Sequence, residues 1–71
     1  MTNTELLREY IDKSGLKIQY LADKIGISRA SLWQKITNKT EFKASEIQIL
    51  CDLLGINSLR EQRNVFFMPS E

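Results

Sequence analysis

At 71 residues the chain holds one domain at most, with a core only just large enough to stand alone, so self-association is an expected supplement. Its 42% apolar and 27% charged residues and net charge of +1 belong to a folding globular chain and exclude disorder and low complexity. No apolar run nears the roughly 20 residues of a membrane span, and a lone Cys51 with no histidine leaves neither an internal disulfide nor the commonest metal ligand and general base.

The first helix is expected to open within Thr2-Asn3-Thr4-Glu5, where Thr2 and Glu5 fit a capping box and Asn3 or Thr4 offers another cap. Leu6, Leu7, Tyr10 and Ile11 recur on one face, and Ser14-Gly15 stops the helix. A short second helix from about Ile18 to Lys24 places Ile18, Leu21, Ala22 and Ile25 at the spacing of a buried stripe. Gly26 ends it, and Ser28 caps a third helix reaching about Thr37, with Leu32 and Ile36 pointing inward. Asn38 stands where a left-handed terminator belongs, a role more often taken by glycine.

The stretch from Lys39 to Lys43 reads as a polar loop pinned by Phe42. A fourth helix begins around Ala44 and ends at Gly55, burying Ile47, Leu50, Cys51 and Leu54. Ile49 and Leu53 fall on another side, so this helix needs a second cover. Asn57-Ser58 can cap one turn through Leu59-Arg60-Glu61, after which Val65-Phe66-Phe67-Met68 has the bias of a short strand, closed by Pro69. That segment, about residues 64–68, either folds back over Ile49 and Leu53 or pairs with its counterpart in a second copy, which makes Ile49, Leu53, Val65, Phe66 and Phe67 the dimer candidates. The fold class is therefore all-α: a compact bundle of four to five short helices with a short extended C-terminal segment, one domain over residues 1–71.

The informative unit is Leu21-Ala22-x-x-Ile25-Gly26-Ile27-Ser28-x-x-Ser31-Leu32-x-x-x-Ile36. Two helices joined by a turn of three or four residues cross steeply, so a small residue such as Ala22 is needed where they touch. Gly26 makes the turn, Ile27 plugs the corner, and Ser28 caps the second helix with its positive end toward an anionic partner. With Leu32 inward, Ala30, Gln34 and Thr37 lie about 140–160° away and form the outward face, flanked by Arg29 and Trp33. These residues suit a DNA major groove: Arg forks onto guanine, Gln onto adenine, and Ala touches a thymine methyl. Trp33 either lies against the DNA or packs on Phe42.

The net charge hides an asymmetry that fits this reading. Residues 17–43 carry six cations against two anions, a net of +4, and the rest carry four cations against seven anions, a net of −3. A basic middle between acidic flanks is the arrangement expected where one face meets phosphate. Lys35, near the inward direction, is expected to bury its stem and keep its charge outside.

Residues 14–39, from Ser14-Gly15-Leu16 to Asn38-Lys39, resemble the Xre-type helix-turn-helix family of phage repressor and Cro proteins. The tail Lys39-Thr40-Glu41-Phe42-Lys43-Ala44-Ser45-Glu46-Ile47 is similar to small phage-derived members, and the whole resemblance spans roughly residues 4–56. It implies a lambda-repressor-like bundle of about five helices whose third helix enters the major groove, usually as a dimer. By position, Ser28, Arg29, Ala30, Ser31 and Gln34 fall in the family's DNA-facing slots, and Lys39, Thr40 and Lys43 in the loop that touches backbone phosphate. Two positions depart from the pattern. Lys17 and Ile18 replace the family's threonine cap and glutamine, so either Lys17 or Gln19 supplies that phosphate anchor or it is missing, and Asn38 replaces its glycine.

The expectation is a cytoplasmic transcriptional regulator of phage or mobile-element origin that binds a palindromic double-stranded operator as a homodimer. Arg29, Ala30, Trp33, Gln34 and Thr37 would read bases, and Lys17, Gln19, Ser28, Ser31, Lys39, Thr40 and Lys43 would contact phosphates. Neither catalysis nor a metal, a cofactor, a small-molecule substrate or a membrane is expected. The alternative is a protein-interaction module, such as an antitoxin-like or anti-repressor subunit, that grips another protein through the same helices and the C-terminal segment.

Overall fold

Five helices follow one another: α1 (Thr4–Ser14), α2 (Ile18–Ile25), α3 (Arg29–Ile36), α4 (Ala44–Leu54) and α5 (Leu59–Phe66). They come from a computed structural model that describes residues 1–69, among which there is no strand. Helix starts leave backbone N–H groups unpaired, and at α1, α3 and α5 a side chain just ahead of the helix accepts one of them. Asn3, not Thr2, caps α1, its Oδ1 accepting the Leu6 N–H at 3.2 Å. Ser28 caps α3 by accepting the Ser31 N–H, and Ser58 caps α5 by accepting the Glu61 N–H, each at 3.0 Å. For α4 the cap comes from inside the helix, as Glu46 Oε1 accepts the Lys43 N–H at 2.7 Å.

α2 lies at the centre, packed on α3 and α4, while α1 packs on α4 and α5. Leu7, Leu21, Leu32, Ile36, Leu50, Ile56 and Val65 are fully buried, so every helix and the α4–α5 linker feed one core. At roughly 1.5–3 kcal/mol for each large aliphatic removed from water, these side chains are the main force holding α3 in place. Phe42 pins the α3–α4 loop as expected, meeting Phe66 edge to face with ring centroids 5.5 Å apart. Tyr10 ties α1 to α5 by donating its hydroxyl proton to Glu61 Oε2 at 2.9 Å, a bond that lifts the phenol above its usual range.

The extended C-terminal segment is shorter than residues 64–68. Val65 and Phe66 belong to the last turn of α5, and only residues 67–69 leave the helix. A strand would bury Val65 and Phe67 on one face and expose Phe66. The structure buries the neighbours Val65 and Phe66, with Gln62 one turn back half-buried, and leaves Phe67 58% exposed. Burial on a helical period thus overrides the β-bias of these residue types. Val65 and Phe66 are core of a single chain, and Phe67 sits beside Ala44, Ile47 and Cys51 of α4, away from Ile49 and Leu53. Leu53 packs on the core and Ile49 is half-buried.

What the segment pairs with is the chain's own amino end. The Met1 ammonium donates to the Met68 carbonyl at 3.0 Å, the Met68 N–H donates to the Met1 carbonyl at 2.9 Å, and the Asn3 N–H donates to the Val65 carbonyl at 2.7 Å.

Candidate nucleic-acid interface

Three residues separate α2 from α3, and each does what a steep crossing requires. Gly26 takes φ +86°, a conformation that a Cβ disfavours, and its N–H and that of Ile27 both donate to the Ala22 carbonyl, at 2.9 and 3.1 Å. Ala22 is fully buried, and Ile27 packs on the core at the corner. α3 is thereby held against α2 along Leu32 and Ile36, both fully buried, with its opposite face turned to solvent.

That face carries Arg29, Ala30, Gln34 and Thr37, all exposed. Among the described residues neither the Arg29 guanidinium nor the Gln34 amide makes a hydrogen bond or ion pair, so both are free to meet a partner. Thr37 differs: its Oγ1 donates to the Trp33 carbonyl at 2.8 Å, so its hydroxyl proton is already engaged. The loop residues Lys39 and Thr40 are exposed and fixed to the end of α3, their N–H groups donating to the Gln34 carbonyl at 2.8 and 3.3 Å. Lys43, also exposed, stands at the start of α4. At the start of α2, Lys17 is exposed, Ile18 packs on the core, and the exposed Gln19 has its amide engaged, Nε2 donating to Asp23 Oδ1 at 2.9 Å. Ser28 is exposed with its hydroxyl oxygen occupied as the α3 cap, and Ser31 is half-buried.

The HTH_3 helix-turn-helix family model matches residues 7–64. The chain belongs to the Xre-type helix-turn-helix family. No curated protein and no solved structure matched it. Membership makes the chain a DNA-binding transcriptional regulator of the Xre/Cro type, a family that is in general not enzymatic. Among the described residues no helix is long and apolar enough to cross a membrane.

Two sequence expectations about the helix-turn-helix change here. Trp33 does not pack on Phe42, which meets Phe66 instead. It is half-buried on the other flank of α3, in a cleft lined by Arg8, Ile11, Asp12 and Ile18, with the Arg8 guanidinium carbon 5.6 Å from its ring centroid. Lys35 does not hold its charge in solvent: its Nζ lies 2.9 Å from Glu46 Oε1 and 3.0 Å from the Glu41 carbonyl, and the ion pair is nearly buried. Burial alone would raise the Glu46 carboxyl, but the Lys43 N–H and the Lys35 ammonium outweigh it and hold the group below the usual range.

Three features of the site went unread in the sequence. Asn38 does more than tolerate φ +68°: its Oδ1 accepts the Thr2 N–H at 2.8 Å and its Nδ2 donates to the Thr2 carbonyl at 2.9 Å, tying the amino end to the end of α3. Glu46, three residues past the Lys43 cap, was visible as a capping glutamate, though its pairing with Lys35 was not. Tyr20, 42% exposed with Lys24 Nζ 5.4 Å from its ring centroid, lies off the stripe formed by Ile18, Leu21, Ala22 and Ile25, and that offset was its only signal.

Proposed function

We propose that this helix-turn-helix protein is a Cro-like repressor that binds a two-fold-symmetric operator as a homodimer and reads bases with Arg29, Ala30 and Gln34. The observation that carries the reading is the outward face of α3, where a guanidinium and a carboxamide stand exposed and unpartnered on either side of a methyl. Arg29 can fork onto guanine and Gln34 onto adenine, while Ala30 and the Thr37 methyl suit thymine. Lys17, Lys39, Thr40 and Lys43, with the positive end of α3 at Ser28, take phosphates and set the register. Gln19 and Ser31 are secondary contacts, the first held by Asp23 and the second half-buried.

Self-association is favoured by the exposure of Leu59 (79%) and Phe67 (58%) at the two ends of α5, with Ile49 and Leu53 of α4 as further candidates. The similarity of residues 39–47 to phage-derived members supports a phage or mobile-element origin, and hence action in the cytoplasm of a bacterial or infected cell.

Selection of bound duplexes from a random pool tests the reading. The expected product is a pair of inverted half-sites about one helical turn apart, and Lys39→Ala should lower the slope of log affinity against log salt by about one unit. If no duplex binds at low salt, the regulator reading is lost and the protein-interaction module takes its place.

A further inference from the structure

We propose that Arg8 on α1 is a further contact to DNA, taking a backbone phosphate where α1, the start of α2 and α3 meet, and that Trp33 positions it. The inference rests on the DNA-binding reading above and addresses its thinnest point, the start of α2, where only Lys17 and the engaged Gln19 are on hand to meet phosphate. Ile18 has no polar group to offer there, and the Gln19 amide is engaged by Asp23. Of the three residues that open α2, only Lys17 has a free charge, and its side chain caps nothing.

Arg8 faces the same junction from α1. Its guanidinium carbon lies 5.6 Å from the Trp33 ring centroid, within cation–π range, beside the cleft that Ile11, Asp12 and Ile18 complete. A cation drawn to the ring face keeps N–H donors available for a further partner. Nothing among the described residues takes those donors. The one ion pair among the described residues is Lys35–Glu46, and even Asp12, one turn on in the same cleft, is not within pairing distance of Arg8. A guanidinium with its donors open matches the forked geometry of a phosphate oxygen pair. Trp33 lies about 60° around α3 from Ala30, so the cation it carries borders the reading face. The same arrangement gives a large aromatic at this position a role: Trp33 lines the cleft with Ile11 and Ile18 and draws the Arg8 cation to its ring, which lowers the ordering cost of binding.

The test measures affinity of the full chain for a selected duplex and a random one between 50 and 200 mM salt. Arg8→Gln should lower the salt slope by about 0.9, so that the affinity lost across this range shrinks roughly 3.5-fold, and should weaken both duplexes by the same factor. Arg8→Lys should keep the slope. Trp33→Leu should weaken binding and Trp33→Phe restore most of it. Trp33 is the only tryptophan, so its emission should change when wild type takes up duplex and change much less in Arg8→Gln. A salt slope unaltered in a folded Arg8→Gln, with Lys39→Ala still lowering it, overturns the assignment of Arg8 and leaves the DNA-binding reading intact. Failure of wild type to bind any duplex removes both.

Discussion

Replacing Asn38 by glycine and by alanine separates two contributions that the end of α3 combines. Asn38 adopts φ +68°, which asparagine tolerates better than alanine and glycine adopts freely, and its side chain makes two half-buried hydrogen bonds to the backbone of Thr2. Each bond is worth about 1 kcal/mol net, so both variants lose about 2 kcal/mol from this source. Alanine adds about 1 kcal/mol for a positive φ without asparagine's local compensation. Glycine relieves that strain but gains freedom in the unfolded chain, and the two effects nearly offset. The expected losses are about 2 kcal/mol for Asn38→Gly and about 3 kcal/mol for Asn38→Ala. In a domain of this size each kcal/mol lowers the melting temperature by roughly 4–8 °C, so circular dichroism on the full chain resolves the difference. The reasoning is refuted if Asn38→Gly melts at or above wild type, since the contacts to Thr2 would then contribute nothing.

The Lys35–Glu46 pair makes stability sensitive to acid. Because the native Glu46 carboxyl titrates below its unfolded value, its contribution is complete above the unfolded range near about 4.3 and is lost as pH falls through the lower native value. Glu46→Gln keeps an acceptor for the Lys43 N–H and the Lys35 ammonium but removes the carboxylate charge that offsets Lys35, so it should cost about 2–4 kcal/mol at neutral pH and flatten the acid limb of a stability profile. Parallel acid limbs in the two proteins would count against the pair. Val65→Asp should unfold the chain by burying an unpaired charge, whereas Phe67→Asp should keep the monomer within about 1 kcal/mol of wild type. Sedimentation then reports whether Phe67 is a dimer contact, and unfolding of Phe67→Asp would contradict its exposed position.

Much of this was legible because the helix-turn-helix is a local device. Gly26, Ser28 and the stripe from Ile18 to Ile25 act on neighbours within a few residues, so spacing was enough to place both helices and the turn. The exposed face of α3 followed from the same periodicity, once Leu32 and Ile36 were taken as inward. What failed depends on residues far apart in sequence. The helical state of Val65 and Phe66 is decided by a core drawn from four other helices, against their own bias. Lys35 could be placed at the rim, but not next to a glutamate eleven residues on. Trp33 was visible as an anomaly, but the cation beside its ring sits 25 positions earlier, at Arg8.

The pose of α3 is therefore not a property of the two-helix motif alone. Its C-terminal end is tied to the amino end by Thr4, whose Oγ1 donates to the Ile36 carbonyl at 2.6 Å, and by Asn38 through Thr2. The amino end is tied in turn to the end of α5 through Met1–Met68 and Asn3–Val65. A force on α5 thus reaches α3 through short hydrogen bonds as well as through the core. In a dimer that meets along α5, the distance between the two reading helices would be set by these ties, and loosening them would relax the half-site spacing before it weakened any single base contact. Spacing measured for Asn38→Gly, against wild type, separates this role from a purely thermodynamic one: a broadened spacing preference at unchanged base preference is the expected outcome, and an unchanged spacing would assign the contacts to stability alone.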